Sequence, residues 1–113
     1  MSYKIELTTN FKQKAKRLAK KYPSLKIELA ELFVQLEENP TIGTPLGNNI
    51  YKIRLAILSK GKGKSGGARV LYFLKFTHSI VLLFSIYNKG EIDIITDKEI
   101  KELIKKYYWY KNY

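Results

Sequence analysis

Lys52 and Arg54 stand two residues apart in the run Ile50 to Leu58, and Arg69 opens the next apolar-rich run. In an extended strand, residues two apart project from the same face. A hairpin joining the two runs would bring all three cations toward one end of a shared sheet surface. Such a cluster is electrostatically costly without an anion, and a phosphate is the natural guest, because Arg offers a bidentate fork and Lys a movable point charge. On spacing alone the three read equally as solvated residues on the wet face of an antiparallel sheet. Between them lies Lys60-Gly61-Lys62-Gly63-Lys64-Ser65-Gly66-Gly67, a basic loop. It satisfies G-x-G-x-x-G, and Gly63-Lys64-Ser65 matches the end of a P-loop. Both matches fail on context. Leu58 stands where a P-loop needs its first Gly, and the next segment, Ala68 to Phe73, reads as strand rather than as the helix N-terminus that cradles a phosphate. A cationic arm that tracks a phosphate backbone fits better, because no acidic residue occurs between Glu38 and Glu91.

Other chemistry is thinly represented. His78 is the single histidine, so it cannot supply both acid and base in a two-histidine ribonuclease arrangement, and it reads as a surface turn residue. Glu91, Asp93, Asp97 and Glu99 have no His among them, and two of them are explained as helix-start residues; no metal site and no cofactor are expected. Tyr107, Tyr108, Trp109, Tyr110 and Tyr113 would suit a base-stacking platform. The first two also fit a packed helical stripe, and the tail equally suits a partner-binding surface.

Periodicity gives the framework on which these side chains are carried. Tyr3 to Leu7 is a short strand, and Thr8-Thr9-Asn10 offers N-caps for a helix. Phe11, Ala15, Leu18, Ala19 and Tyr22 form one helical stripe, flanked by Lys12, Lys14, Lys16, Arg17, Lys20 and Lys21. Pro23-Ser24 ends that helix and caps a second, with stripe Leu25, Leu29, Leu32, Phe33 and Leu36; the short connection predicts a helical hairpin. Asn39 to Asn49 holds two Pro and two Gly and reads as loop. Ile50 to Leu58 alternates, with Tyr51, Ile53, Leu55 and Ile57 on one face and Lys52, Arg54 and Ala56 on the other. Ala68 to Phe76 and Ile80 to Tyr87 are two more strands, joined at Thr77-His78-Ser79. Glu91 to Ile95 continues the sheet, and Thr96 with Glu99 makes a capping box for a last helix with stripe Ile100, Leu103, Ile104, Tyr107 and Tyr108. Strands and helices are segregated along the chain, so the fold is α+β: an N-terminal strand and helical hairpin on a mostly antiparallel, twisted sheet, with a C-terminal helix, in one domain over 1–113.

Composition agrees. A chain of 113 residues without Cys excludes a disulfide scaffold, and 45% hydrophobic residues supply a core. The formal charge of +11 favours polyanions or an acidic partner. The first residues lack the pattern of a secretory leader, and the longest apolar run, Ile80 to Ile86, is far too short to span a bilayer. A cytoplasmic protein without membrane contact is expected.

Tyr51-Lys52-Ile53-Arg54-Leu55, the Gly/Lys loop, and Ala68-Arg69-Val70-Leu71-Tyr72-Phe73 together resemble the RelE/ParE superfamily of bacterial toxins, and the loop leading into Gly-Gly-Ala-Arg-Val resembles its HigB-type branch. The resemblance implies a type II toxin acting as a ribosome-dependent, metal-independent mRNA endonuclease, neutralised by a co-encoded antitoxin of helix-turn-helix type. In the ParE branch the target is DNA gyrase, and a non-enzymatic nucleic-acid-binding module would use the charge alone. By position, Lys52 and Arg54 match the basic pair of the second strand, Arg69 the arginine opening the third, and Lys89 the basic residue after the fourth. The chain departs from the RelE pattern in that the last position falls at Lys89 or Gly90 and no Tyr opens the last helix, which leaves Tyr87 as the substitute. The implied roles are Lys52 as general base, Arg54 and Arg69 stabilising the transition state, and Lys89 or Tyr87 assisting the leaving group. Lys60, Lys62 and Lys64, with Lys12, Lys16 and Lys20 of the first helix, would hold RNA or ribosome.

Overall fold

The computed structural model describes residues 2–61, 66–88, 96, 98–99, 101–102 and 105. The elements run β1 (Lys4–Leu7), α1 (Thr9–Lys21), α2 (Leu25–Glu38), β2 (Thr44–Gly47), β3 (Ile50–Leu55), β4 (Ala68–Lys75) and β5 (Ile80–Asn88), with 3-10 turns at Leu58–Lys60 and Phe76–His78. One sheet has the order β1-β5-β4-β3-β2. Among the described strands only β1 is paired in parallel, against β5; the other three pairings are antiparallel. The α+β architecture is therefore as expected.

Thr8 is the N-cap of α1: its Oγ1 accepts the Phe11 N–H at 3.0 Å. Both helices bury their stripes against one face of the sheet. Phe11 and Leu18 of α1, and Leu25, Leu29, Leu32 and Leu36 of α2, meet Val70, Tyr72 and Leu74 of β4 and Val81, Leu83 and Ile86 of β5. Each such side chain contributes about 1.5–3 kcal/mol on burial, so this layer fixes which sheet face remains for other work.

Three expectations need correction. The segment Asn39 to Asn49 is not wholly loop, because Thr44–Gly47 is an edge strand paired with β3. Pro45 is tolerated there since an edge needs no second ladder. Asn48 and Asn49 both have positive φ, 54° and 63°, forming the two-residue connection that suits a tight hairpin. The strand beginning at Ile50 ends at Leu55 rather than Leu58. There the Leu58 N–H donates to Glu28 Oε2 at 2.7 Å and the Ser59 N–H to Ser24 Oγ at 2.9 Å, so the chain bonds to the helical layer instead of a neighbouring strand. Ser24 precedes α2 but makes no capping bond with its side chain, which donates to Glu28 Oε1 instead.

The strand expected at Glu91 to Ile95 lies outside the described residues, as does the stripe Ile100, Leu103, Ile104, Tyr107 and Tyr108. The Thr96–Glu99 cap is in place: the Glu99 N–H donates to Thr96 Oγ1 at 3.2 Å.

Candidate active site

The open face of the sheet, opposite the helices, collects the cations. Strand alternation sends Tyr51, Ile53 and Leu55 toward the core and Lys52 and Arg54 away from it. Pairing then aligns them across strands. Arg54 is opposite Arg69, and Arg69 is opposite Tyr87; in the next row Lys52 is opposite Leu71, and Leu71 opposite Ser85. Directly opposed residues have Cβ atoms about 4.5–5.5 Å apart, and diagonal ones about 7–8 Å. Lys52, Arg54, Arg69 and Tyr87 thus form one patch.

Tyr87 is there because of a β-bulge. Leu71 is opposite Ser85 but Tyr72 is opposite Leu83, so Phe84 is an extra residue on β5. Without it, Tyr87 would share the face of Val81 and Leu83, which is the core. With it, Ile86 takes the core position and Tyr87 turns out beside Arg69.

Burial grades the patch. Arg69 is only 6% exposed and Tyr87 7%, whereas Lys52 is half-buried and Arg54 exposed. An apolar floor of Ile50, Leu71 and Phe84, with Phe73 beside it, borders the cations. Arg69 Nη1 donates to the Ala68 carbonyl at 3.3 Å. Like charges directly opposite disfavour a strand pair, and the pairing of Arg54 with Arg69 concentrates positive charge at this point of the open face. A guanidinium this buried also acts through low dielectric, where a hydrogen bond to a charged phosphate is stronger than in water. Among the described strands, the one acidic residue is Glu6, on β1 at the far edge.

The scaffold behind Lys52 is held by Tyr72. Its hydroxyl donates to the Pro40 carbonyl at 2.8 Å and accepts the Gly43 N–H at 3.0 Å, while its ring stacks on Tyr51 with centroids 5.4 Å apart. Burial pushes this phenol up to about 12; the Gly43 hydrogen bond opposes the rise and Tyr51 adds to it. A Cβ at Gly43 would lie 2.9 Å from both the Lys52 carbonyl and the Tyr72 hydroxyl, so only Gly lets this loop approach β3. The basic loop is also pinned at its roots. Ser24 and Glu28 clasp Leu58 and Ser59 on one side, and on the other a Cβ at Gly67 would overlap the Leu55 carbonyl.

The remaining expected residues fall elsewhere. Lys12, Lys16 and Lys20 are exposed on α1, on the helix side of the sheet, so they are not part of the patch. Lys60 lies in the 3-10 turn that leads into the loop. Lys62, Lys64 and Lys89 lie outside the described residues, as do Glu91, Asp93 and Asp97 and the aromatic tail from Tyr107. His78 is an exposed turn residue whose Nδ1 is 3.0 Å from Thr77 Oγ1. Among the described residues, no three His, Cys, Asp or Glu side chains come together, and no helix is long and apolar enough to cross a membrane. Sequence spacing passed over Lys14, Arg17 and Lys21, which line a cleft with Lys20; no local signal distinguishes them from the other α1 cations.

The fold has solved counterparts. A free, arginine-substituted form of the E. coli toxin RelE aligns with TM-score 0.63 at 18% identity, covering 94% of this chain and 98% of that one. The toxin–antitoxin complex RelBE2 from Mycobacterium tuberculosis gives 0.57 at 21%, covering 78% and 99%. The archaeal RelE–RelB complex from Pyrococcus horikoshii gives 0.55 at 15%, covering 81% and 100%. At these identities the likeness establishes the fold. The profile of the family described as the RelE toxin of the RelE/RelB toxin-antitoxin system matches residues 7–111. With nearly the whole chain matched, this protein belongs to the RelE toxin family.

Proposed function

We propose that the chain is a ribosome-dependent mRNA endonuclease whose active site is the open sheet face. The observation that carries this is the placement of Lys52, Arg54, Arg69 and Tyr87 in two adjacent rows of one surface. Lys52 removes the ribose 2′-hydroxyl proton. The 2′-oxygen attacks the adjacent phosphorus while Arg54 and Arg69 bind its non-bridging oxygens, whose charge grows in the phosphorane. The bond to the 5′-oxygen breaks, Tyr87 or Lys89 supplies the proton that oxygen needs, and the products are a 2′,3′-cyclic phosphate and a 5′-hydroxyl. No metal enters this scheme.

Lys60, Lys62 and Lys64, with Lys12, Lys16 and Lys20, make the ribosome contacts, and the site of action is the cytoplasmic ribosome. The solved relatives include complexes with RelB-type antitoxins, which supports a co-encoded antitoxin here. The Gly/Lys loop before Ala68-Arg69-Val70 supports the HigB-type branch and hence a helix-turn-helix antitoxin. Primer extension on a defined mRNA, with and without ribosomes and with Arg69→Ala, tests the reading. Ribosome-dependent cuts that vanish in the variant are expected. Intact message in every lane, with cleaved DNA accumulating on gyrase, would replace it with the ParE-type activity.

A further inference from the structure

Between α1 and the end of β5 lies a cleft of about 560 Å³ lined by Lys14, Arg17, Lys20 and Lys21, with Leu18, Ile86, Tyr87 and Asn88. Lys14, Arg17 and Lys21 recur at i, i+3 and i+7, so they stand along one flank of the helix. Among the described residues, the lining holds four cations and no carboxylate. Unlike a scattered basic surface, these charges converge on one concavity and repel one another there, so the cleft gains from a bound polyanion. Asn88, 5% exposed, gives it a buried amide wall.

The cleft shares Tyr87 with the open-face patch. Tyr87 ends the row that begins at Arg54 and Arg69 and also borders the cleft. Its neighbour Asn88 turns to the opposite face of β5, so the two sites stand on either side of one β-strand. Along α1, Lys14 to Lys21 spans about 10 Å, which accommodates about three phosphates of a stacked strand. We infer that this cleft is a second RNA-backbone site, which holds phosphates of the single-stranded message flanking the scissile one and so sets its approach to Arg69. The inference rests on the endonuclease reading above. An acidic peptide would also satisfy the charge, but the sharing of Tyr87 with the Arg54–Arg69 row favours a single polyanion occupying both.

The test uses labelled, uncleavable 2′-O-methyl oligouridylates of about three and about nine nucleotides, with anisotropy read between 50 and 200 mM salt, the range over which phosphate contacts weaken steeply. Arg17→Gln/Lys21→Gln is compared with Lys4→Gln/Lys26→Gln, which removes the same charge away from the cleft. The cleft pair is expected to weaken the longer oligomer about three- to tenfold, to flatten its salt slope by about 1.4, and to spare the shorter one; the control pair stays within about twofold. Equal loss in both pairs, no gain in affinity with length in the unaltered protein, or tighter binding of a Glu-rich peptide than of RNA would each overturn it. Failure of the endonuclease reading is separately visible: cleavage that survives Arg69→Ala removes that reading whatever the oligomers do.

Discussion

Replacing Tyr72 by Phe keeps the ring and its stack on Tyr51 but removes two hydrogen bonds, to the Pro40 carbonyl and from the Gly43 N–H. Each partner is partly buried and left unsatisfied, at roughly 1 kcal/mol apiece. For 113 residues the unfolding entropy near the midpoint is about 0.24 kcal/mol/K, so a loss of about 2 kcal/mol lowers Tm by about 8 °C. The pH dependence separates this cause from mere repacking. The folded phenol titrates at about 12 against an ordinary value of 10.0. Its folded pKa is raised, so the associated stability is complete below pH 10 and is lost as pH climbs toward 12. Between pH 9 and 11 the ceiling on that loss is about 1.4 kcal/mol, trimmed to roughly 1 by solvent around its partly buried partners at Pro40 and Gly43. The Tm gap between Tyr72→Phe and the unaltered protein should therefore shrink by about 4 °C between pH 9 and 11 in scanning calorimetry. A gap that is constant or widens with pH would refute the assigned burial and hydrogen bonding.

Arg54→Gln removes the charge opposite Arg69, so the free protein should become more stable by about 0.5 kcal/mol in urea titration, while single-turnover cleavage drops about 10²- to 10³-fold; a loss of stability would contradict the pairing. Tyr87→Phe should slow cleavage about 10²-fold or more. A substrate with sulfur in place of the bridging 5′-oxygen should recover most of that loss, because a thiolate leaves without a proton, whereas Lys52→Ala should not be rescued. Gly67→Ala forces its methyl against the Leu55 carbonyl and should cost roughly 1–3 kcal/mol, read as a lowered midpoint in thermal circular dichroism.

Helical stripes were legible in the sequence because Phe11, Leu18, Leu25, Leu29, Leu32 and Leu36 recur at helical spacing and all are buried. Lys52 and Arg54 were likewise placed correctly by simple alternation, and the hairpin geometry carried Arg69 to them. Tyr87 was a residue without a visible face: Val81 to Phe84 is uniformly apolar, so no alternation marks the bulge that turns it outward. Strand β2 was hidden by Pro45 and Gly47, which weaken strand propensity, although Asn48-Asn49 carried the signal of a tight hairpin. Ser24 looked like a cap, but tertiary partners at Glu28 and Ser59 claim its hydroxyl. The α1 cleft needed β5 as its second wall, which local spacing does not supply.

Whether the open sheet face cleaves RNA through the ribose 2′-oxygen is decided by placing a single 2′-deoxy nucleotide on the 5′ side of the mapped cut in a defined mRNA, in a reconstituted translation system. Attack by the 2′-oxygen at a phosphate held between Arg54 and Arg69 predicts that this cut disappears while neighbouring sites persist, and that the unmodified message yields a 2′,3′-cyclic phosphate. Undiminished cleavage at the deoxy position, or a 5′-phosphate on the downstream fragment, would contradict it.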